Sequence, residues 1–235
     1  MPVTRSESGT NLTNWIVNVG DGNYNAPGEA AVNSADISTV NQTAESVVKA
    51  NILNRRIMAH NITFHRITDP DALVDTHVAS YEFKVPYTIA TSNTDFNGQT
   101  VEGGLFVWDG PTTELDYGLA FQWIINPFDP DYKALRYWDG SGWQSLGQDL
   151  EPDNDYHTAE FQLDIPNEEA YFKLDGTSFA QNIFSETTKT GFGTTVDARF
   201  QAETISIYPP ATGTIPSQKV NFKDWSWEWS NDNPA

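Results

Sequence analysis

Two short stretches of this chain concentrate oxygen-bearing side chains. Asn126-Pro127-Phe128-Asp129-Pro130-Asp131 places three of them in one turn, and Asp149-Leu150-Glu151-Pro152-Asp153-Asn154-Asp155 packs four acids into seven residues. A hard cation such as Ca2+ takes about six to eight oxygen ligands, and alternate residues of a loop can converge on one ion. Asn126, Asp129, Asp131, Asp149, Glu151, Asp153 and Asp155 are therefore the candidate ligands, and Ca2+ the candidate cofactor. Neither stretch has the spacing of an EF-hand loop, and solvated acidic loops account for the same residues.

Tryptophan is the second group with chemistry to offer. A sugar ring packs its C–H groups on the electron-rich face of an exposed indole. Of the eight tryptophans, Trp108, Trp138 and Trp143 border the turn signals Asp109-Gly110 and Asp139-Gly140-Ser141-Gly142. Loops at the rim of a scaffold are where binding residues collect. Trp225, Trp227 and Trp229 share one parity, so on a strand they line one face, either as a second platform or as cover for the core.

Acid–base chemistry has fewer candidates. His65 and His157, with a tyrosine and Arg136, are the residues that a polysaccharide lyase would use: a base for the proton α to a uronate, and a cation for its carboxylate. His60 and His65 have opposite strand parity, so they form no local chelate. Arg136 and Gln122 share even parity with Arg66, Gln162 and Lys84, and, depending on strand register, one polar sheet face carrying Arg66, Lys84, Gln122, Arg136, Gln201 and Glu203 would suit a saccharide. The solvent face of an ordinary sheet shows the same alternation. Gly-x-Ser-x-Gly, a P-loop and Gly-x-Gly-x-x-Gly are all absent.

The elements that position these residues read as strands. Tyr81-Glu82-Phe83-Lys84-Val85 alternates, as do Glu160 to Ile165, and Tyr117 to Ile125 is the near-continuous apolar run of a strand covered on both faces. Asp139-Gly140-Ser141-Gly142 and Asp175-Gly176 are hairpin signals, and Pro209-Pro210 stops the long strand from Asp197. The one helix candidate is Thr43 to Ala59, where Val47, Val48, Ile52 and Ile57 give a rough stripe; a β-branched strand accounts for part of it equally well. Residues 1 to 35 read as an irregular N-terminal arm with one short strand, Asn14 to Val19. The expected architecture is a single all-β domain over 1–235, an antiparallel two-sheet jelly-roll sandwich with at most one or two short helices.

Composition narrows the function. The 32 acids against 13 bases leave a net charge of -19. Nucleic acid binding needs a basic footprint, and an anionic membrane surface repels such a chain. Polyanionic glycans are disfavoured for the same reason, whereas neutral or weakly acidic ones are not. No stretch approaches the ~18 apolar residues of a membrane helix. With no cysteine there is no disulfide, thiolate metal site or Cys nucleophile. Met1 to Ser8 lack the apolar run of a signal peptide. A bacterial cytoplasm and a secreted bacterial protein are both compatible, and a homo-oligomer is not excluded.

Tyr156-His157-Thr158-Ala159-Glu160-Phe161-Gln162-Leu163-Asp164, followed by Ala170-Tyr171-Phe172-Lys173-Leu174-Asp175-Gly176-Thr177, resembles a segment of the concanavalin A-like and laminin-G-like jelly rolls. There an aromatic-His pair opens one strand and the next carries an apolar-Asp-Gly turn. Lys219 to Trp229 stands in the place of their last strand, so the resemblance spans roughly residues 100 to 229. It implies a jelly-roll fold that hosts lectins, glycosidases, lyases and adhesion modules. The Glu-x-Asp-x-x-Glu strand of the jelly-roll glucanases is only begun, by Glu114-Leu115-Asp116. The Arg-x-Glu and Gln-x-His pairs of the alginate lyases are absent. The leading expectation is carbohydrate binding by a groove and rim built on Trp108, Gln122, Arg136, Trp138 and Trp143. The alternatives are a polysaccharide-active enzyme, a lyase before a glycoside hydrolase, and a structural adhesion or assembly domain.

Overall fold

The computed structural model describes residues 3–19, 37–50, 59–69, 75–86, 98–108, 115–127, 129–139, 141–181, 185–186, 197–207 and 218–230. Among these residues every regular element is a strand. In chain order they are Thr4–Gly9 (β1), Ile16–Val19 (β2), Ile37–Asn41 (β3), Ser46–Ala50 (β4), Ala59–Ile67 (β5), Thr76–Lys84 (β6), Gly98–Trp108 (β7) and Leu115–Ile124 (β8). The second half adds Ala134–Trp138 (β9), Trp143–Asp149 (β10), His157–Asp164 (β11), Glu169–Leu174 (β12), Thr177–Gln181 (β13), Ser185–Glu186 (β14), Asp197–Ile207 (β15) and Gln218–Ser230 (β16). No helix among the described residues is long and apolar enough to cross a membrane.

The strands form two antiparallel sheets. The back sheet runs β13-β12-β11-β6-β16-β4-β3, with β1 also paired to β16; the front sheet runs β10-β9-β8-β7-β15-β5-β2, with β14 paired to β8. Strand alternation decides what lies between them. Tyr81, Phe83, Phe161, Phe172, Phe222 and Trp227 of the back sheet meet Phe121, Trp123 and Phe200 of the front sheet, all essentially without solvent contact. The rings interlock across the gap: Tyr81 stacks on Phe200 at 5.0 Å, and Phe121 on Phe172 at 5.0 Å. Fully burying one such ring stabilises by roughly 1.5–3 kcal/mol. The architecture is thus the expected jelly-roll sandwich.

Turn chemistry agrees with the expectation at Asp175-Gly176. Both residues have positive φ, 50° and 76°, the geometry of a two-residue hairpin loop whose twist matches its strands. Asp175 also anchors the turn: its carboxylate accepts the Thr158 N–H at 2.8 Å, and its own N–H donates to the Thr158 carbonyl at 2.9 Å.

Three expectations are corrected. The helix candidate is a strand where it is described: Ser46–Ala50 pairs with β3 on one side and β16 on the other. Val48 turns into the core while its neighbour Val47 does not, a period of two that β-branched side chains favour; residues 51–58 lie outside the described ones. The N-terminal arm holds a second strand, β1, which zips along β16 from Thr4↔Ser230 to Gly9↔Trp225. Its sequence shows no apolar alternation because polar contacts dock it: Arg5 pairs with Asp69 at 2.9 Å and Asp75 at 3.5 Å, and Glu7 with His65. Finally, Lys84 does not share a face with Arg66, Gln122 and Arg136, since β6 belongs to the back sheet and the other three to the front sheet.

Candidate functional site

On the front sheet, the residues that alternate with the core face form a second surface, turned away from the back sheet. Register brings polar side chains into one row across it: Ser145 opposite Arg136, Arg136 opposite Gln122, and Gln122 opposite Glu102, whose backbone pairs on with Glu203. Thr100 stands one step along β7. Gln122, Glu102 and Thr100 are buried although they face away from the core. A flat, bare solvent face would leave them open, so these side chains are shielded from solvent.

Buried polar groups must be hydrogen-bonded or they cost stability. Here they satisfy one another. Arg136 Nη1 donates to Gln122 Oε1 at 3.4 Å, Gln122 Nε2 donates to Glu102 Oε1 at 2.5 Å, and the Thr100 hydroxyl reaches the same oxygen at 3.5 Å. A guanidinium only donates and a carboxylate only accepts, so the Gln122 amide has one orientation that serves both. Arg136 Nη2 is paired with Asp131.

An apolar tract runs beside this row. Phe106 and Ala120 pack against Trp138 and Trp143, separate from the main core. The two indoles meet edge to face, with centroids 5.5 Å apart and planes at 71°. They are half-buried, and they are neighbours because Trp138↔Trp143 closes the β9–β10 hairpin. Asp139 holds that hairpin: its carboxylate accepts the N–H groups of Ser141 and Gly142, both at 2.8 Å, which keeps it below the usual carboxylate range. The floor is small. Gly104 sits opposite Ala120, and a Cβ there would lie 2.4 Å from the Phe106 ring and 2.5 Å from the Leu119 carbonyl.

The expected site residues are therefore partly assembled. Gln122, Arg136, Trp138 and Trp143 converge on one face. Trp108 ends β7, and its side chain lies outside the described ones. Trp225, Trp227 and Trp229 take the second of their two readings and cover the core. Glu102, Thr100 and Phe106 belong to the face but were missed. The signal was the strand partner: β7 alternates Thr100, Glu102, Gly104, Phe106 on the side opposite Val101 and Leu105, and only its pairing with β8 shows that this side meets Gln122.

His65, His157 and Arg136 do not come together. His65 turns inward, 4.8 Å from the Trp225 ring and 6.2 Å from Trp15, and pairs with Glu7. His157 opens β11 in the back sheet, with Nδ1 2.9 Å from Asp175 and Nε2 3.1 Å from Asp153. Tyr156 beside it donates to Glu45; burial first, and then that carboxylate, push its phenol well above the ordinary tyrosine range.

The acid loops are not gathered around a centre either. Among the described residues no three acids or histidines stand together as a metal site. Asp129 Oδ1 accepts the Asp131 N–H at 2.9 Å, Asp131 pairs with Arg136, Glu151 with Lys133, and Asp153 takes the Asp155 N–H and His157. Turn N–H groups and cations thus occupy the carboxylates of Asp129, Asp131, Glu151 and Asp153, which are not aimed at one point as a Ca2+ ion needs.

No protein-family model and no curated protein matches the sequence. Solved structures do match in shape. The CBM2 module of the evolved Dit of Lactobacillus casei BL23 phage J-1 is 14% identical with a TM-score of 0.55, over 99% of this chain and 99% of that one. Winged bean acidic lectin, complexed with methyl-alpha-D-galactose, is 13% identical with a TM-score of 0.54, over 97% and 99%. Bacillus licheniformis beta-glucanase is 12% identical with a TM-score of 0.51, over 95% and 97%. A sialidase matches over 17% of its own length. At such identities the likeness speaks for the fold, and the chain has the concanavalin A-like jelly-roll fold.

Proposed function

We propose that the outer face of the front sheet binds a carbohydrate. One observation carries this: a hydrogen-bonded Arg136–Gln122–Glu102 row lies directly beside the Trp138–Trp143 pair over a floor of Gly104 and Ala120. Sugars present hydroxyls at their edges and C–H groups on their faces. A row of fixed donors and acceptors next to partly open indoles suits both, and few other ligands need the two together. That a lectin and a CBM2 module share this fold supports the same use. A binding role is favoured over lyase chemistry because neither His65 nor His157 reaches Arg136.

Replacing Trp138 by Ala is expected to weaken glycan binding by ~1–2 kcal/mol while leaving the melting transition nearly unchanged, since the ring is half-buried and outside the main core. Calorimetric titration against the strongest hit of a glycan array, beside a thermal melt, measures both. A folded variant that binds as well as the parent moves the site elsewhere.

Ca2+ is a candidate only at the acid loops, where the carboxylates of Asp129, Asp131, Glu151 and Asp153 already have partners. Melting curves in millimolar Ca2+ and in chelator are expected to coincide. A cation bound only by the native state at one hundred times its Kd would separate them by ~2.7 kcal/mol of stability.

A further inference from the structure

Asp131 lies in a loop, yet its carboxylate is spent on one side chain, Arg136. Arg136 is the cation of the polar row. Its Nη2 faces Asp131 and its Nη1 faces Gln122 Oε1, so the fork a carboxylate would grip in a two-point contact is occupied by the protein's own acceptors. Glu102 stands two strands away in the same row as a second negative group. The Arg136 guanidinium is therefore matched by Asp131, and Glu102 adds a further negative charge to the row.

We propose that Asp131 is a specificity-determining residue: by holding Arg136 it makes the face accept uncharged sugars and refuse sugars bearing a carboxylate. This rests on the carbohydrate reading of the face. An uncharged hydroxyl needs a single acceptor or donor and can be served by Gln122, Glu102 or the remaining guanidinium N–H groups. A uronate must displace Asp131 or bring a carboxylate beside Glu102 while Arg136 is already held. The refusal is local, distinct from the diffuse repulsion of a chain at net charge -19.

The test compares the two causes. Immobilised β-glucan, galactan and mannan are each presented beside the same polymer oxidised at C6 to the uronate. The parent protein, Asp131→Asn and Glu160→Gln are applied at equal salt. Glu160 lies on β11 of the back sheet, 3.9 Å from Lys173, so its neutralisation changes the net charge by the same amount, far from the row. The parent is expected to retain a neutral polymer and not its oxidised form. Asp131→Asn should gain at least about tenfold in affinity for the oxidised form, the scale of a charge-assisted pair, with neutral binding kept within a few-fold. Glu160→Gln should behave as the parent. Equal gains in the two variants would assign the refusal to overall charge and overturn the proposal. So would a parent that binds both forms alike. A parent that retains none of the polymers in either form removes the carbohydrate reading itself, and this inference with it.

Discussion

Trp227→Ala is expected to lower the free energy of unfolding by about 3–5 kcal/mol, the range for truncating a large buried aromatic side chain. Trp227 has no solvent contact. Its ring meets Trp229 at 5.4 Å, His77 at 6.0 Å, His65 at 6.2 Å and Phe200 at 6.4 Å, so it touches both sheets. Its indole N–H also donates to His77 Nδ1 at 3.3 Å, and truncation removes that donor from a buried acceptor. The cavity cannot collapse easily, because β16 is fixed by β6 on one side and β1 on the other. Urea or guanidinium titration measures the change. A loss under about 1 kcal/mol would mean that the ring is not core, and would return the Trp225–Trp229 face to consideration as a sugar platform.

Gly103→Ala is the second large effect, with the opposite cause. A Cβ at Gly103 would lie 1.6 Å from the Tyr81 hydroxyl oxygen, 2.9 Å from Tyr81 Cζ and 2.8 Å from Phe121 Cε1. Tyr81 cannot swing aside: it is fully buried, stacked on Phe200 and flanked by Phe83, Phe161 and Phe222. Overpacking of this kind costs about 1–3 kcal/mol and sometimes more. A double-mutant cycle isolates the clash. Tyr81→Phe removes the atom that the new methyl would strike, so Gly103→Ala should cost clearly less in that background than in the parent. Additive costs would show that the backbone, not the hydroxyl, sets the requirement for glycine. The comparison matters for the site, since Gly103 and Gly104 are neighbours on β7 and serve opposite faces. Gly103 admits Tyr81 to the core, and Gly104 keeps the floor beside Phe106 low.

Much of the fold was legible because strand signals are local. Alternation along Glu160–Ile165 and Tyr81–Val85 repeats every two residues, and the same alternation decides which side chains enter the core. Asp175-Gly176 announced its hairpin because few residue pairs adopt positive φ twice in succession. β1 was not legible. Thr4 to Ser8 are polar on both sides, and what holds the strand is an open stretch of β16 together with acids and a histidine more than fifty residues away.

The site divides along the same line. Residue types and parity were enough to nominate Gln122, Arg136, Trp138 and Trp143, since period-two spacing and turn position are properties of a short window. They were also enough to set the acidic charge and to exclude thiol chemistry. Which strand lies beside which, and in what register, is decided by pairing between strands, and it placed Glu102 next to Gln122, Gly104 opposite Ala120 and Lys84 on the other sheet. Partner choice is likewise a matter of conformation. The sequence shows Asp131 as one acid in an acidic turn, and only the path of the folded turn into β9 shows it paired with Arg136 five residues on, because backbone geometry decides which neighbouring charge a side chain meets.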